Sequence, residues 1–337
     1  MTLSLRKAEI SQAHLFEYHE TQPARNSIAK VRARKPILVT GSHRSGTTWV
    51  GRMLASSPAV GYIHEPFNVG NRWGICDTSF DRFFTYVCEQ NESRFLPSLQ
   101  KTLEFRHDLL GGLKQAQSSR DALKTMALHS LWMGYRLKEA RPLMKDPIAL
   151  FSAEWLHSKF NMDVLVMIRH PAAFAGSIKI MKPHSFSQFL DQPLLMRDHL
   201  HPFADNMKRV EAGKADFIEQ AALLWMVVHY MILKYRKMHP DWVFIRHEDL
   251  SRDPINGFHS IFEKFGLSFG AHEEDTIKKH SYADSMFSWY LPKEIRRNSY
   301  HNISTWKNRL TPAEVKKLKS LVGEISREFY SDDEWLV

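Results

Sequence analysis

Across 337 residues the chain has only two cysteines, Cys76 and Cys88, and neither stands in a metal-binding or redox spacing. That excludes a disulfide framework and a zinc knuckle, and makes a reduced, cytoplasmic setting the expectation. Histidine is plentiful at 18, but only His199 and His201 approach a ligand pair and no third ligand clusters with them. No metal site is expected. No apolar leader follows Met1, so a secretory signal is not expected either. The longest apolar run, Ala222 to Leu233, is 12 residues long and carries His229. It is too short to span a bilayer and reads as a buried helix, so no transmembrane segment is expected. No repeat or low-complexity break divides the chain.

Charge is present in excess of one sign and is localised. The formal net charge is +9, of which residues 1–36 hold +4 and residues 278–309 hold +5. No helix-turn-helix, zinc-finger or RNA-binding signature accompanies it, so nucleic acid is not the expected partner. A basic terminal tail of 1–35 and a basic segment that completes an anion site are the readings the distribution allows.

The run from Ile37 to Leu54, ILVTGSHRSGTTWVGRML, is a short β-rich stretch, a glycine loop and a helix. Gly41 and Gly46 are five apart, as in the loops that cradle phosphates, but Thr47 stands where those loops carry lysine. The only cation in the loop is Arg44, whose charge is fixed at neutral pH. Backbone amides of such a loop and the helix start make an anion site, and Ser45, Thr47 and Thr48 add hydroxyls. A kinase would also want an aspartate at a strand end to hold Mg²⁺. The strand ends instead present Gly41, His64, Arg169 and His247.

Further strands are expected at Val60 to Ile63, in RPLMK, at Val164 to Ile168 and in WVFIR, several followed by helices. Aliphatic strands alternating with helices predict an α/β fold, a parallel sheet of about five strands covered on both faces. Helices are expected after the third strand (DPIALFSAEWLHSKF) and over Phe217 to Met238. Thr311, Pro312 and Glu314 form the capping signature of a last helix. One domain over 36–337 is expected, with a mostly helical insertion at about 68–140 and a loop-rich one at about 181–220.

Four stretches in order carry a resemblance. HRSGTTW resembles the 5′-phosphosulfate loop of sulfotransferases that use 3′-phosphoadenosine 5′-phosphosulfate (PAPS). IRHPAAFAGS resembles their 3′-phosphate motif, an arginine at a strand end and a serine eight residues on (Arg169, Ser177). FIRHEDLSRDP resembles a later strand of that family, and STWKNRLTPAE its C-terminal nucleotide-contacting loop. Together they cover Lys35 to Glu314. The resemblance implies the P-loop-like fold, PAPS as co-substrate without metal, and transfer of a sulfuryl group to an acceptor hydroxyl.

It also implies roles. Arg44 is the catalytic cation beside the bridging oxygen as the bisphosphate leaves, and with Ser45, Gly46, Thr47 and Thr48 it holds the 5′-phosphate, while Trp49 lies against the adenine. Arg169 and Ser177 hold the 3′-phosphate with help from Arg296 or Arg297, and Trp306 and Lys307 belong to the last nucleotide loop. The chain departs from the cytosolic small-molecule enzymes, which place a histidine after the third strand where this one has MKDPI. Arg44 and the E-P of HEPF are instead similar to the tyrosylprotein and carbohydrate enzymes, and imply Glu65 as the base. His64 is the reserve and Asp146 a weaker third. A sugar or small-molecule hydroxyl is the implied acceptor, in a soluble bacterial-type enzyme. The rival readings are a P-loop nucleotide kinase or NTPase with a degenerate loop, and a non-catalytic nucleotide-binding scaffold of the same fold.

Overall fold

A computed structural model describes residues 30–32, 34–70, 74–180, 185–282 and 303–336. Five strands form one sheet: β1 (Ile37–Gly41), β2 (Val60–His64), β3 (Arg141–Lys145), β4 (Asp163–Ile168) and β5 (Val243–Arg246). Their order is β2-β3-β1-β4-β5 and every pairing is parallel. Parallel neighbours need long crossovers, and these supply the helices that cover both faces.

The alternation along β1 shows how the faces divide. Ile37 and Val39 point to one side with Leu143, Leu165 and Met167. That side is covered by α1 (Thr47–Leu54) through Trp49, Val50, Met53 and Leu54, and by Phe258, Ile261 and Phe262. Leu38 points to the other side with Ile63, Met144, Val164 and Val166. Successive side chains of a strand alternate between faces, so one aliphatic run serves two cores. The second core is closed by α2 (Leu96–Leu103), by α4 (Ser119–Leu137) with α3 (Leu109–Lys114) packed on it, and by α5 (Ala153–Phe160), α6 (Pro171–Ile178), α7 (Ala204–Glu211) and α8 (Phe217–Met238). Trp225, Val228, Met231 and Tyr235 of α8 are all buried, and α8 keeps the bounds expected from the sequence. On the first face the chain continues from β5 into α9 (His247–Arg252), α10 (Pro254–Lys264) and α11 (Ala271–Tyr282). The last helix, α12 (Pro312–Ser326), has the expected reciprocal cap between Thr311 and Glu314.

Three local expectations are corrected. The helix after β3 begins as a 3-10 segment, Pro147–Ser152, because the buried Asp146 carboxylate accepts the amides of Ile148 and Ala149 and winds the first turn tightly. Residues 74–91 of the first insertion carry no helix. Side chains such as Gln192, which accepts the Tyr86 amide, satisfy that backbone instead. Most of 187–211, expected as loop, is short helical turns, one of them of π type over Met196–Leu200.

Candidate active site

The loop after β1 is shaped by crowding. A Cβ on Gly41 would lie 2.2 Å from the carbonyl oxygen of Met167 on the paired strand β4, and φ there is +127°. A Cβ on Gly46, at φ +90°, would lie 2.7 Å from Nδ1 of His247. Only glycine serves at both ends of the turn. Between them Arg44 adopts the left-handed region at φ 65°, an uncommon state for a residue with a side chain. The turn is tied down by Ser42 N–H to Met167 O at 2.9 Å and Ser45 N–H to Ser42 O at 3.1 Å. It delivers the start of α1, where Gly46 offers no side-chain cap and the first turn holds no acid. Uncapped N–H groups at the positive end of a helix bind anions. Among the described residues the buried Ser45 hydroxyl has no hydrogen-bond partner, so this cradle has polar capacity in reserve.

The next strand over, β4, supplies more positive charge. The Arg44 Nε donates to Ser177 Oγ at 3.1 Å, joining the β1 loop to α6. Arg169, at the end of β4, is 6% exposed and lies 3.6 Å through Nε from Glu248. Glu248 is itself buried, accepting the His170 N–H at 3.1 Å and the Tyr330 hydroxyl at 2.9 Å. The Arg169 carbonyl accepts from the indole of Trp225 at 2.9 Å. Burial pushes the Arg169 guanidinium down, Glu248 opposes, and the charges of Arg44 and Arg309 add to the downward push. Arg44 and Arg309 both reach α6 beside that charge, Arg44 through Ser177. Arg309 also donates to the Gly176 carbonyl of α6 at 3.4 Å. His247 completes the floor: burial and the charge of Arg169 hold it neutral, and its Nε2 meets Ser251 Oγ at 3.2 Å.

The carboxylates lie at the ends of β2 and β3. Registry puts His64 opposite Lys145, and Glu65 follows at φ 46°, its N–H bonded to Lys145 O at 2.9 Å. The left-handed turn brings the Glu65 carboxylate back to the Lys145 ammonium, with which it pairs, while Asn68 Nδ2 donates to its second oxygen at 2.7 Å. The Lys145 side chain is 0% exposed and that of Glu65 18%. Burial pushes the Glu65 carboxyl up, but Lys145, His64 and the Asn68 bond outweigh it and hold it below the ordinary glutamate range. Burial lowers Lys145 in turn, with Glu65 opposing. Asp146 is fully buried, and burial and then the Glu65 charge push it up to about 7, against the amides of Phe67 and Ile148. His64 is pulled down to about 4 by burial and by Lys145, and its Nδ1 meets the Tyr62 hydroxyl at 3.2 Å. At neutral pH Glu65 is an anion and His64 a neutral ring.

The structure thus brings Arg44, Arg169 and Ser177 together and sets Ser45 and Thr47, both buried, with the half-buried Thr48 at the start of α1. Two expected roles meet a different environment. Trp49, expected against the adenine, is 8% exposed and packs at 5.1 Å against Phe258 and 5.9 Å against His247, within the first core. Trp306 is 3% exposed and stacks on His170 at 5.7 Å, bracing α6, while Lys307 is exposed beside it. Arg296 and Arg297 lie outside the described residues. Asp146 spends both oxygens on backbone amides, Phe67 at 2.8 Å among them, and works as an anchor rather than a base.

Sequence reasoning missed Lys145, Asn68, Arg309 and Glu248, and had His247 only as a strand end. Arg309 stands in the last motif itself, two residues past Lys307, and was the accessible signal. Lys145 was visible at a strand end, but its partner depends on the register between β2 and β3.

A model described as the sulfotransferase family matches residues 36–271. Mouse carbohydrate sulfotransferase 4 (Mus musculus) is 21% identical over 346 residues, covering 87% of this chain and 81% of its own length. Among solved structures, the sulfotransferase domain from the curacin biosynthetic pathway aligns at a TM-score of 0.47 with 16% identity, covering 87% of this chain and 96% of that one. A mouse sulfotransferase complexed with PAP aligns at 0.42 with 14% identity, covering 91% of each chain.

Proposed function

The chain belongs to the sulfotransferase family, and on that premise we propose how its residues divide the labour of moving a sulfuryl group from PAPS to a carbohydrate hydroxyl. When bound, PAPS supplies the sulfuryl group and leaves as the 3′,5′-bisphosphate. The acceptor oxygen forms the new bond to sulfur, the bond from sulfur to the phosphate oxygen breaks, and the acceptor proton passes to a base.

One observation carries the assignment: the Arg44–Ser177 hydrogen bond, which joins the two anion-binding segments in a neighbourhood that also holds Arg169 and Arg309. A ligand with two separate phosphates fits that arrangement. The uncapped start of α1 and the spare Ser45 hydroxyl serve the 5′-phosphate, and Ser177, Arg169 and Arg309 serve the 3′-phosphate. Arg44 stands at the junction, placed to stabilise charge that grows on the leaving phosphate. Glu65, ionised and held at both oxygens, is the base. His64 is the alternative, being neutral beside it.

The same chemistry supports metal-free transfer. The strand-end carboxylates are engaged, Asp146 by backbone amides and Glu65 by Lys145 and Asn68, while the charge facing the loop is cationic. A carbohydrate acceptor is favoured by the E-P turn at Glu65 and Pro66, and by the name of the mouse relative. The test is transfer from ³⁵S-labelled PAPS to a panel of saccharides and simple alcohols, with and without EDTA. Label on a saccharide, unaffected by EDTA, is expected. Transfer confined to non-sugar alcohols would overturn the acceptor, and strict dependence on Mg²⁺ would overturn the metal-free step.

A further inference from the structure

Eleven large apolar side chains are exposed among the described residues, and six of them lie within α3 and α4: Leu110, Leu123, Met126, Leu131, Met133 and Leu137. The sheet side of α4 is fully used. Thr125 and Trp132 are buried, and a Cβ on Gly61 of β2 would meet the Tyr135 ring at 3.0 Å. On the opposite side Leu123, Met126, Ser130, Met133 and Leu137 follow one another at steps of three and four, which is one face of a helix. The apolar members are 62%, 46%, 47% and 81% exposed. Gly134, on the same face, has open space where a side chain would go. At 1.5 Å per residue the stripe runs along a helix about 28 Å long.

The rim of that stripe has one sign. Lys114, Arg120, Arg136 and Lys138 are all exposed. The only acids between 109 and 139 are Asp121 and Glu139. Asp121 accepts from Ser118 at the helix start, and Glu139 pairs with Lys30 at 3.6 Å. A second copy laid antiparallel along the stripe would bring Arg120 beside Lys138 of the other chain, like against like. An anionic bilayer meets the same rim with attraction, and its acyl boundary accepts the leucines and methionines.

We propose that the outer face of α4 seats this protein on an anionic phospholipid surface, with Leu123, Met126, Met133 and Leu137 entering the interface and Arg120, Arg136 and Lys138 meeting the headgroups. The seat is independent of the sulfuryl-transfer site, whose residues lie at the ends of β1 to β4.

Co-sedimentation of the full chain with vesicles tests this. Binding is expected to phosphatidylcholine vesicles carrying phosphatidylglycerol and not to phosphatidylcholine alone, and it should weaken as salt rises. Arg136→Gln with Lys138→Gln should lower partitioning about 25-fold, roughly fivefold per cation. Leu123→Ser with Met133→Ser should lower it at least about tenfold, with circular dichroism and PAP affinity unchanged. If the serine pair misfolds, the exposed Arg136 and Lys138 pair carries the test alone. Equal binding to neutral vesicles, or none to either, overturns the proposal. So does binding that survives both pairs, which would move attachment to another basic segment. A dimer in sedimentation velocity that Leu123→Ser dissolves would give the face to a second copy and overturn it as well.

Discussion

Replacing Glu65 by glutamine should do two things at once, and the structure allows them to be separated. Glu65 neutralises an ammonium whose side chain is wholly buried. Breaking a buried ion pair from one side costs roughly 3–5 kcal/mol while the other charge remains. Lys145 has an escape, since burial already lowers its affinity for the proton and Glu65 is the main group opposing that. In Glu65→Gln the folded-state value of Lys145 falls further below its unfolded one. The unfolded chain then binds more protons than the folded chain, so stability must rise with pH. Urea unfolding should therefore show a deficit of several kcal/mol at pH 6 that shrinks toward pH 9. Adding Lys145→Met removes the stranded charge, and the double variant should recover stability and lose the pH dependence. Turnover behaves differently. It should fall on the order of 10²- to 10⁴-fold in Glu65→Gln and stay low in the double variant, because the base is absent from both. Equal stability of Glu65→Gln and wild type at every pH would refute the buried pair. Near-normal turnover with the pair intact in unfolding would refute the base and pass the role to His64.

The acid side of the pH–rate profile should be flat down to the ordinary glutamate range, because Glu65 lies below that range and His64 near 4. Both groups predict the same limb, so His64→Ala against Glu65→Gln decides between them by turnover, not by profile. Ser177→Ala should weaken PAP by roughly threefold to tenfold relative to AMP, and calorimetry giving equal losses for both would remove it from the 3′-phosphate site. Arg169→Ala should weaken PAP about ten- to 150-fold and also lower stability, since Glu248 is left buried without its partner. Arg44→Ala should lower kcat by about 10²–10³ with a smaller loss of PAP affinity, and Arg44→Lys should keep part of the rate. Asp146→Ala should leave the Phe67 and Ile148 amides unpaired and cost about 2–5 kcal/mol in unfolding, with the β2 turn loosened.

The residues themselves determined whatever depends on neighbours in the chain. The β1 loop was legible because two glycines five apart between a β-rich run and a helix start are a local signature of a tight turn, and the crowding at Gly41 and Gly46 gives the reason in ångströms. The bounds of α8 and the Thr311–Glu314 cap were legible for the same reason: periodicity and capping are local chemistry. Trp49 shows the limit. Its motif position implied a place against the adenine, while its packing against Phe258 and His247, more than 190 residues away, could only come from the tertiary structure. The pairing of Glu65 with Lys145, 80 residues on, exists because β2 and β3 are parallel neighbours in one register. A shift of one residue would turn Lys145 to the opposite face. Arg169 owes its setting to Glu248 and Tyr330 from the far end of the chain, and Arg44 meets Ser177 only because β1 and β4 adjoin. The sequence named the candidate groups, since residue type and local turn chemistry travel with the chain. Strand order and register chose their partners and charge states, because those depend on which distant segments share a wall and on how much water remains between them.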